Sequence, residues 1–217
     1  LGPFRAAERR CTATGTSMMK WLKSTERTWF SWLHFYDPHF PYDPGETLEK
    51  LYLDGPPEFP QSVFDIAQIN HLRTTLPDEQ IAEYKALYMA EITRVDWELH
   101  KICCQLTARK NQKETLILVT ADHGESLDEH GNYFTHGDDL YDPSLRVPWL
   151  TTWFPATRSR PSLAQGRIAA GQAPLNVTAG FIATMAGLSF SAVNPLCGEI
   201  IKSWNETSTQ LPDGNSY

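Results

Sequence analysis

A short apolar strand that runs directly into acids and histidines most constrains what this chain can fold into. Residues 115–120 read TLILVT, a β-branched run without polar alternation, which predicts a parallel strand covered by helices on both faces. The stretch that follows, TADHGESLDEHGNYFTHGDDLYD over residues 120–142, holds three histidines, five aspartates and two glutamates. In open α/β sheets, ligands bind outside the carboxyl ends of strands. The pattern therefore predicts a ligand site at this edge of a sheet.

Four further segments have clear patterns. Residues 29–36 (WFSWLHFY) are aromatic-rich and predict a buried strand that ends at Asp37-Pro38, and residues 146–152 predict a later strand. Residues 78–108 predict the longest helix, and residues 176–187 a shorter one that ends at Gly187. In the long helix, apolar residues spaced by three and four form the predicted buried stripe: Ile81, Tyr84, Tyr88, Ile92, Val95, Leu99, Ile102 and Leu106. Strand, long helix and strand in this order predict an α/β fold.

Composition excludes several classes of protein. With 217 residues and 41% hydrophobic content, the chain can bury one sizeable core. A formal net charge of −7 argues against a nucleic-acid partner, because binding phosphates needs clustered Lys and Arg. No apolar run approaches the roughly 18–20 residues of a transmembrane segment. The Pro-, Gly- and acid-rich excursion between Asp43 and Pro77 is long for a compact domain, and we expect it to shape specificity.

Two segments supply candidate site residues to the same sheet edge. Asp122 and His123 follow the strand at once and can give an oxygen and a nitrogen ligand to one divalent cation, while Gly124 permits close approach. The alternative is that Asp122 caps the next helix and His123 packs beneath the sheet edge. His136 can bind an anionic oxygen, protonate a leaving group or ligate metal; otherwise it is a solvated loop residue. His39 lies between two prolines, which suits a positioned group but also simple turn packing.

Taken together, three stretches resemble one family. WFSWLHFYDPHFPY, YKALYMAEITRVDWELHKI and TLILVTADHGESLDEHGNYFTHGDDLYDPSLRVPWL occur in this order in the sulfatase family of the alkaline phosphatase superfamily, and the third is the most specific. The tail PLNVTAGFIATMAGLSFSAVNPLCGEIIKSW resembles the end of that catalytic domain. The resemblance covers residues 6–204 and implies a three-layer αβα fold with a mostly parallel central sheet.

The resemblance also implies a chemistry. Sulfatases hydrolyse sulfate esters, and close relatives hydrolyse phosphate diesters or phosphonates, with a formylglycine nucleophile beside one divalent cation. Carried over by motif, Asp122 and His123 are the metal ligands, and His39 and His136 are catalytic residues that bind the substrate. The expected cation is calcium, with manganese or zinc as alternatives. The expected substrate is a small-molecule or saccharide sulfate or phosphate ester.

Departures from the family pattern define further expectations. The formylglycine motif C-x-P-x-R is absent, as is the early strand that ends in paired aspartates, and Pro143 stands where Glu is common. We therefore expect residues 1–204 to be the carboxyl-terminal part of a catalytic domain whose amino-terminal part, with the formylglycine, is missing. Residues 205–217 are expected to be a polar, flexible tail. In isolation, the chain should be inactive, bind divalent cations weakly and expose strand edges.

Two alternative functions stay open from the sequence. The first is a phosphodiester or phosphonate hydrolase of the same superfamily, favoured by a histidine beside Asp122, because imidazole is a softer ligand than an amide oxygen. The second is a non-catalytic module that kept the fold and lost the nucleophile.

Overall fold

The structure is a computed structural model that describes residues 10–109, 115–154 and 173–188. The chain divides into two compact units, Leu1–Pro161 and Ser162–Tyr217, and each is described by itself. The predicted flexible tail, residues 205–217, lies outside the described residues.

Helices dominate the first unit. Its elements in chain order are α1 (Cys11–Ser24), α2 (Glu46–Tyr52), α3 (Val63–Leu72), α4 (Asp78–Thr107), β1 (Thr115–Thr120), a 3₁₀ turn (Glu129–Gly131), α5 (Asp142–Leu145) and β2 (Trp149–Phe154). In the second unit, the described part contains a 3₁₀ turn (Leu175–Val177) and α6 (Thr178–Met185), close to the predicted helix over residues 176–187. No helix in the described ranges is long and apolar enough to cross a membrane.

The described sheet has two strands, which pair antiparallel. Thr115 lies opposite Phe154 and Thr120 opposite Trp149, so β2 begins three residues later than predicted. The sequence predicted a parallel neighbour and complete burial for β1. Instead, within the part of the chain that the structure describes, β2 is the only strand beside β1, and each residue of β1 is half-buried. A two-stranded ribbon has too few neighbours to cover both faces of a strand.

The long helix α4 is confirmed almost to the residue, but its buried face is rotated from the prediction. Its first turn carries Asp78 and Glu79, as suits the positive end of the helix dipole. Ile92 is exposed, although the apolar stripe placed it inside. The residues that are buried on α4 are Glu83, Tyr84, Leu87, Ala90, Glu91, Arg94, Glu98, Ile102 and Leu106. Of the charged residues on this face, Glu83, Glu91 and Arg94 bind backbone groups of the neighbouring loops, as described below, whereas Glu98 pairs with Lys101.

The predicted strand at residues 29–36 is wrong for the described structure, where this segment is extended coil without a ladder. Its side chains alternate: Leu33 and Phe35 pack against a cluster of α1 and α4, whereas Phe30 and Trp32 are 67% and 74% exposed. The alternation of a strand is present, but a strand also needs a hydrogen-bonded neighbour.

Two apolar clusters hold the first unit together. One joins α1, α4 and β1 through Met18, Leu22, Ile102 and Leu106, with Ile117 packed against them. The other lies beneath the predicted site and consists of Phe40, Tyr42, Ile66, Leu76, Tyr84, Leu87, Tyr133 and Phe134. His39 precedes Phe40, and His136 follows Phe134 by two residues. Each histidine is therefore attached to a buried aromatic anchor.

Candidate active site

His39 lies in a segment whose backbone is fixed on both sides. Its Nδ1–H donates to the carbonyl of Phe40 at 2.7 Å. A carbonyl oxygen only accepts, so the proton of the neutral ring is on Nδ1 and the lone pair is on Nε2. The hydroxyl of Tyr36 is 3.4 Å from that Nε2, and the two rings lie 4.4 Å apart.

Charged residues of α4 anchor this segment. The carboxylate of Glu91 accepts from the backbone N–H of His39 at 3.3 Å and of Asp43 at 2.7 Å. Arg94 donates to the carbonyl of Asp43 at 2.8 Å, and its Nη1 is 3.6 Å from the buried carboxylate of Asp37. Apolar periodicity along α4 does not predict Glu91 or Arg94, because both are charged.

His123 is positioned by a close backbone crossing directly after β1. The N–H of Gly124 donates to the carbonyl of Ser144 at 2.8 Å, and a Cβ at Gly124 would be 1.9 Å from the carbonyl oxygen of Pro143. The close approach that the sequence predicted for Gly124 is confirmed. The Nδ1–H of His123 donates to the carbonyl of Gly124 at 2.9 Å, which leaves the lone pair on Nε2.

The loop that carries His136 is closed by a polar network around Ser126. Ser126 and Thr135 exchange both backbone hydrogen bonds, at 2.9 and 3.1 Å. The carboxylate of Asp139 accepts from the backbone N–H of Tyr141 and from the side chains of Ser144, Asn132 and Ser126. These hydrogen bonds, that of Tyr141 first, lower the pKa of Asp139. The network fixes the path of the chain from the strand end to α5.

Three histidines converge at one place. The rings of His123 and His136 stack with centroids 3.9 Å apart, and those of His39 and His136 meet edge to face at 5.2 Å. The carboxylate of Glu125 is buried beneath them, with Oε1 3.4 Å from Nδ1 of His136. The structure thus brings together His39, His123 and His136, which the sequence singled out, and adds Glu125, which it did not. The signal for Glu125 was its place two residues after His123.

Burial sets the protonation of this cluster. It raises the pKa of Glu125 to about 7, against the opposing effect of His39 and His123. Burial, followed by the proximity of His123, lowers the pKa of His136. Near neutral pH, therefore, His136 is an uncharged imidazole beside a carboxyl group that binds a proton readily. Such a pair can hold a proton and transfer it to an oxygen atom.

Asp122 and His123 can supply part of a cation site. The Asp122 carboxylate is 74% exposed, and its Oδ1 lies 3.7 Å from Nε2 of His123, the nitrogen that carries the lone pair. Among the described residues, no group of three or more His, Cys, Asp and Glu side chains is arranged to hold a metal. The two residues fit a divalent cation as two of its ligands, and further oxygen ligands are needed to complete a site for a hard cation.

A cleft of about 580 Å³ opens beside the histidines. Its lining includes His39, Glu125 and His136 together with residues of α3. Because α3 belongs to the excursion between Asp43 and Pro77, part of this excursion lines the cleft, and its role in specificity stays a prediction.

Comparison with known proteins identifies relatives of this chain by sequence. The sequence profile of the family "Sulfatase" matches residues 12–188. The chain is similar to choline-sulfatase of Rhizobium meliloti (strain 1021), with 26% identity over 183 residues that make up 79% of this chain and 34% of that protein. It is also similar to iduronate 2-sulfatase of Mus musculus, with 23% identity over 182 residues, or 74% of this chain and 32% of that protein. The chain spans about a third of the length of the curated relatives it matches. Because the family profile covers most of its residues, the chain belongs to the sulfatase family.

Proposed function

We propose that the complete gene product hydrolyses sulfate esters at the cleft beside His39, His123 and His136. The observation that carries this proposal is the convergence of these three rings with Glu125 and Asp122, from two segments that are far apart in the sequence. Three imidazoles beside a carboxyl group that binds a proton near neutral pH suit a site at which a small tetrahedral anion must receive a proton.

Each residue has a distinct role in this proposal. Asp122 and His123 hold one divalent cation, calcium by preference and otherwise manganese or zinc. When bound, the cation neutralises charge on the ester oxygens. His39 binds an oxygen of the sulfuryl group through an N–H on Nε2, which requires the doubly protonated ring because Nδ1–H is bonded to Phe40, and its position is fixed by Glu91. His136 contacts the leaving oxygen and delivers a proton that it exchanges with Glu125. We further propose that the nucleophile is a formylglycine encoded upstream of this chain, and that the isolated chain is inactive.

The fold of the complete domain is part of the proposal. The sulfatase domain implies an alkaline phosphatase-like α/β fold. We propose that the complete domain has a three-layer αβα fold with a mostly parallel central sheet, in which β1 and β2 are two of the strands. Additional strands beside β1 would cover its half-buried residues and bring further carboxylate ligands to the cation site next to Asp122.

A phosphodiester or phosphonate is the second candidate substrate. It is favoured by the availability of Nε2 of His123 as a nitrogen ligand next to Asp122, because a mixed nitrogen and oxygen site also suits transition metals. Both substrates present a tetrahedral anion of similar size, so the same histidines serve either reaction.

The test compares turnover of an aryl sulfate and an aryl phosphodiester by the complete gene product loaded with calcium or manganese. We expect hydrolysis of the sulfate, and a loss of about 10²- to 10³-fold in kcat/KM for His136→Ala. His100→Ala, on the exposed side of α4, is the matched control. Preference for the phosphodiester would select the second candidate. A preparation that binds divalent cations but turns over neither ester would favour the non-catalytic module.

A further inference from the structure

The residues of α3 that line the cleft include both apolar and polar side chains. Val63 and Ala67 of α3 line it with small apolar surface, and Ile66 of the same face is fixed in the core. Next come Asn70, His71 and Arg73, at the end of the helix, and these also line the cleft. Along α3, the side chains that line the cleft thus change from apolar ones to hydrogen-bond donors at the end of the helix.

Arg73 is held in an unusual conformation. Its φ of 54° places it in the left-handed region, which L-residues other than Asn and Asp rarely adopt. Its Nη1 donates to Oδ1 of Asn132 at 3.0 Å, and Asn132 is tied to Asp139 at 2.6 Å. The guanidinium is therefore oriented by a neutral partner. In the described part of the chain, the ion pairs do not include Arg73, so no carboxylate is paired directly with it there.

We propose that Arg73, with His71 beside it, binds a second anionic group on the alcohol part of the ester. This inference rests on the proposed function, which places the sulfuryl group at His39 and His136. A guanidinium with one N–H engaged by Asn132 has further donors for a carboxylate or a sulfate, the two anions whose paired oxygens match its planar fork. The substrate class that fits is an acidic compound that carries a carboxylate or a further sulfate beside the ester.

Asp138 also lines this cleft and sets a limit on the charge of the substrate there. Its Oδ2 accepts from Oγ1 of Thr135 at 3.1 Å, on the wall that carries His136. The lining of the cleft thus holds a positive charge at Arg73 and a negative charge at Asp138. An anionic substituent is therefore directed toward Arg73.

The test uses three phenyl sulfates with a carboxylate, a carboxamide or a second sulfate on the ring, in meta and para positions. The carboxamide has the shape of the carboxylate without its charge. For the complete gene product, we expect Arg73→Gln to lower kcat/KM for the two anionic esters about tenfold more than for the carboxamide. Comparing the carboxylate with the second sulfate identifies which anion the site prefers.

A matched variant separates recognition of charge from support of the fold. Asn70 ties α3 to the backbone of Tyr133 by two hydrogen bonds of 2.9 Å, so Asn70→Ala loosens the same contact without removing a charge. We expect it to reduce turnover of all three esters by a similar factor. Equal losses for all esters in Arg73→Gln would overturn the inference and leave Arg73 as a tether only.

Binding measurements keep this inference separate from the proposed function. The three esters are titrated calorimetrically into the complete gene product and into Arg73→Gln. If no ester is hydrolysed but the anionic ones bind more tightly in a manner that depends on Arg73, the proposed function fails and the anion site stands. If hydrolysis occurs and binding does not depend on the charge of the substituent, the anion site fails.

Discussion

Glu91 is a buried carboxylate whose protonation is coupled to the segment of His39. Burial raises its pKa from 4.5 to about 7, although the N–H groups of Asp43 and His39 and the nearby Arg94 favour the charged form. A folded-state pKa above the unfolded value means that the folded protein binds the extra proton. The contribution to stability is fully present below pH 4.5 and is lost as pH rises through 7.

A substitution at Glu91 tests this coupling. Glu91→Gln removes the titration and resembles the protonated carboxyl group, so the variant and the wild type should be similarly stable near pH 4.5. Between pH 4.5 and 8, we expect the free energy of unfolding to shift in favour of the variant by about 3 kcal/mol. Urea denaturation of the complete gene product across this range measures the difference. Exposed Glu46→Gln is the control, and a difference for Glu91→Gln that does not change with pH would contradict the prediction.

Gly124 leaves no room for a larger side chain. A Cβ there would lie 1.9 Å from the backbone oxygen of Pro143, and a backbone atom cannot move aside as a flexible side chain can. We expect Gly124→Ala to destabilise the protein by about 3 kcal/mol or more, as severe overpacking does. Gly55→Ala, where the added methyl meets nothing within 4 Å, is the control. Equal denaturation midpoints for the two variants would show that the crossing beside His123 is looser than described.

At the scale of elements, α4 acts as a row of acceptors for the excursion between Asp43 and Pro77. Glu83 accepts from the N–H groups of Glu58 and Phe59 at 2.7 and 3.0 Å. Two turns later, Glu91 does the same for His39 and Asp43. A loop without its own ladder must satisfy its buried N–H groups elsewhere, and here α4 provides the acceptors.

Hydrogen exchange can measure each of these acceptors separately. Glu83→Ala removes the partner of the Glu58 and Phe59 amides, and we expect their exchange to accelerate about tenfold or more, since a hydrogen bond to a charged group is lost. The amides of His39 and Asp43, which Glu91 holds, are an internal control and should keep their rates. Uniform acceleration of all four amides would indicate general loosening of α4 instead.

The sequence could predict α4 and the site histidines for different reasons. α4 has an apolar repeat and an acidic first turn, and both are local signals. His39, His123 and His136 stand next to buried segments whose ends the chain brings together. The partners that orient them could not be predicted, because Glu91 is 52 residues from His39, and only the fold makes that contact. The extended segment at residues 29–36 failed as a strand for the same reason: ladder partners are not encoded locally.

At the scale of the whole molecule, the chain carries only part of what a cation site needs. Asp122 and His123 are the two proposed ligands, whereas calcium takes six to eight oxygen atoms in protein sites. We expect the isolated 217-residue chain to bind calcium with a Kd weaker than about 10⁻⁴ M, and Asp122→Asn to abolish the remaining binding. Calorimetric titration measures both. A Kd in the micromolar range for the isolated chain would mean that further ligands come from this chain itself.

The crossing of Gly124 beneath Pro143 has a consequence for biosynthesis. The N–H of Gly124 bonds to Ser144, and Ser126 bonds to Asp139 and Ser144, so the strand end is held by residues made about 20 positions later. When Asp122 and His123 have just emerged from the ribosome, the contacts that orient them have therefore not yet formed. His123 takes its place only after Ser144 has left the exit tunnel. A translational pause after His123 has left the exit tunnel but before Ser144 has done so would leave this incomplete site open to proteases. A pause after Ser144 has left the tunnel would not.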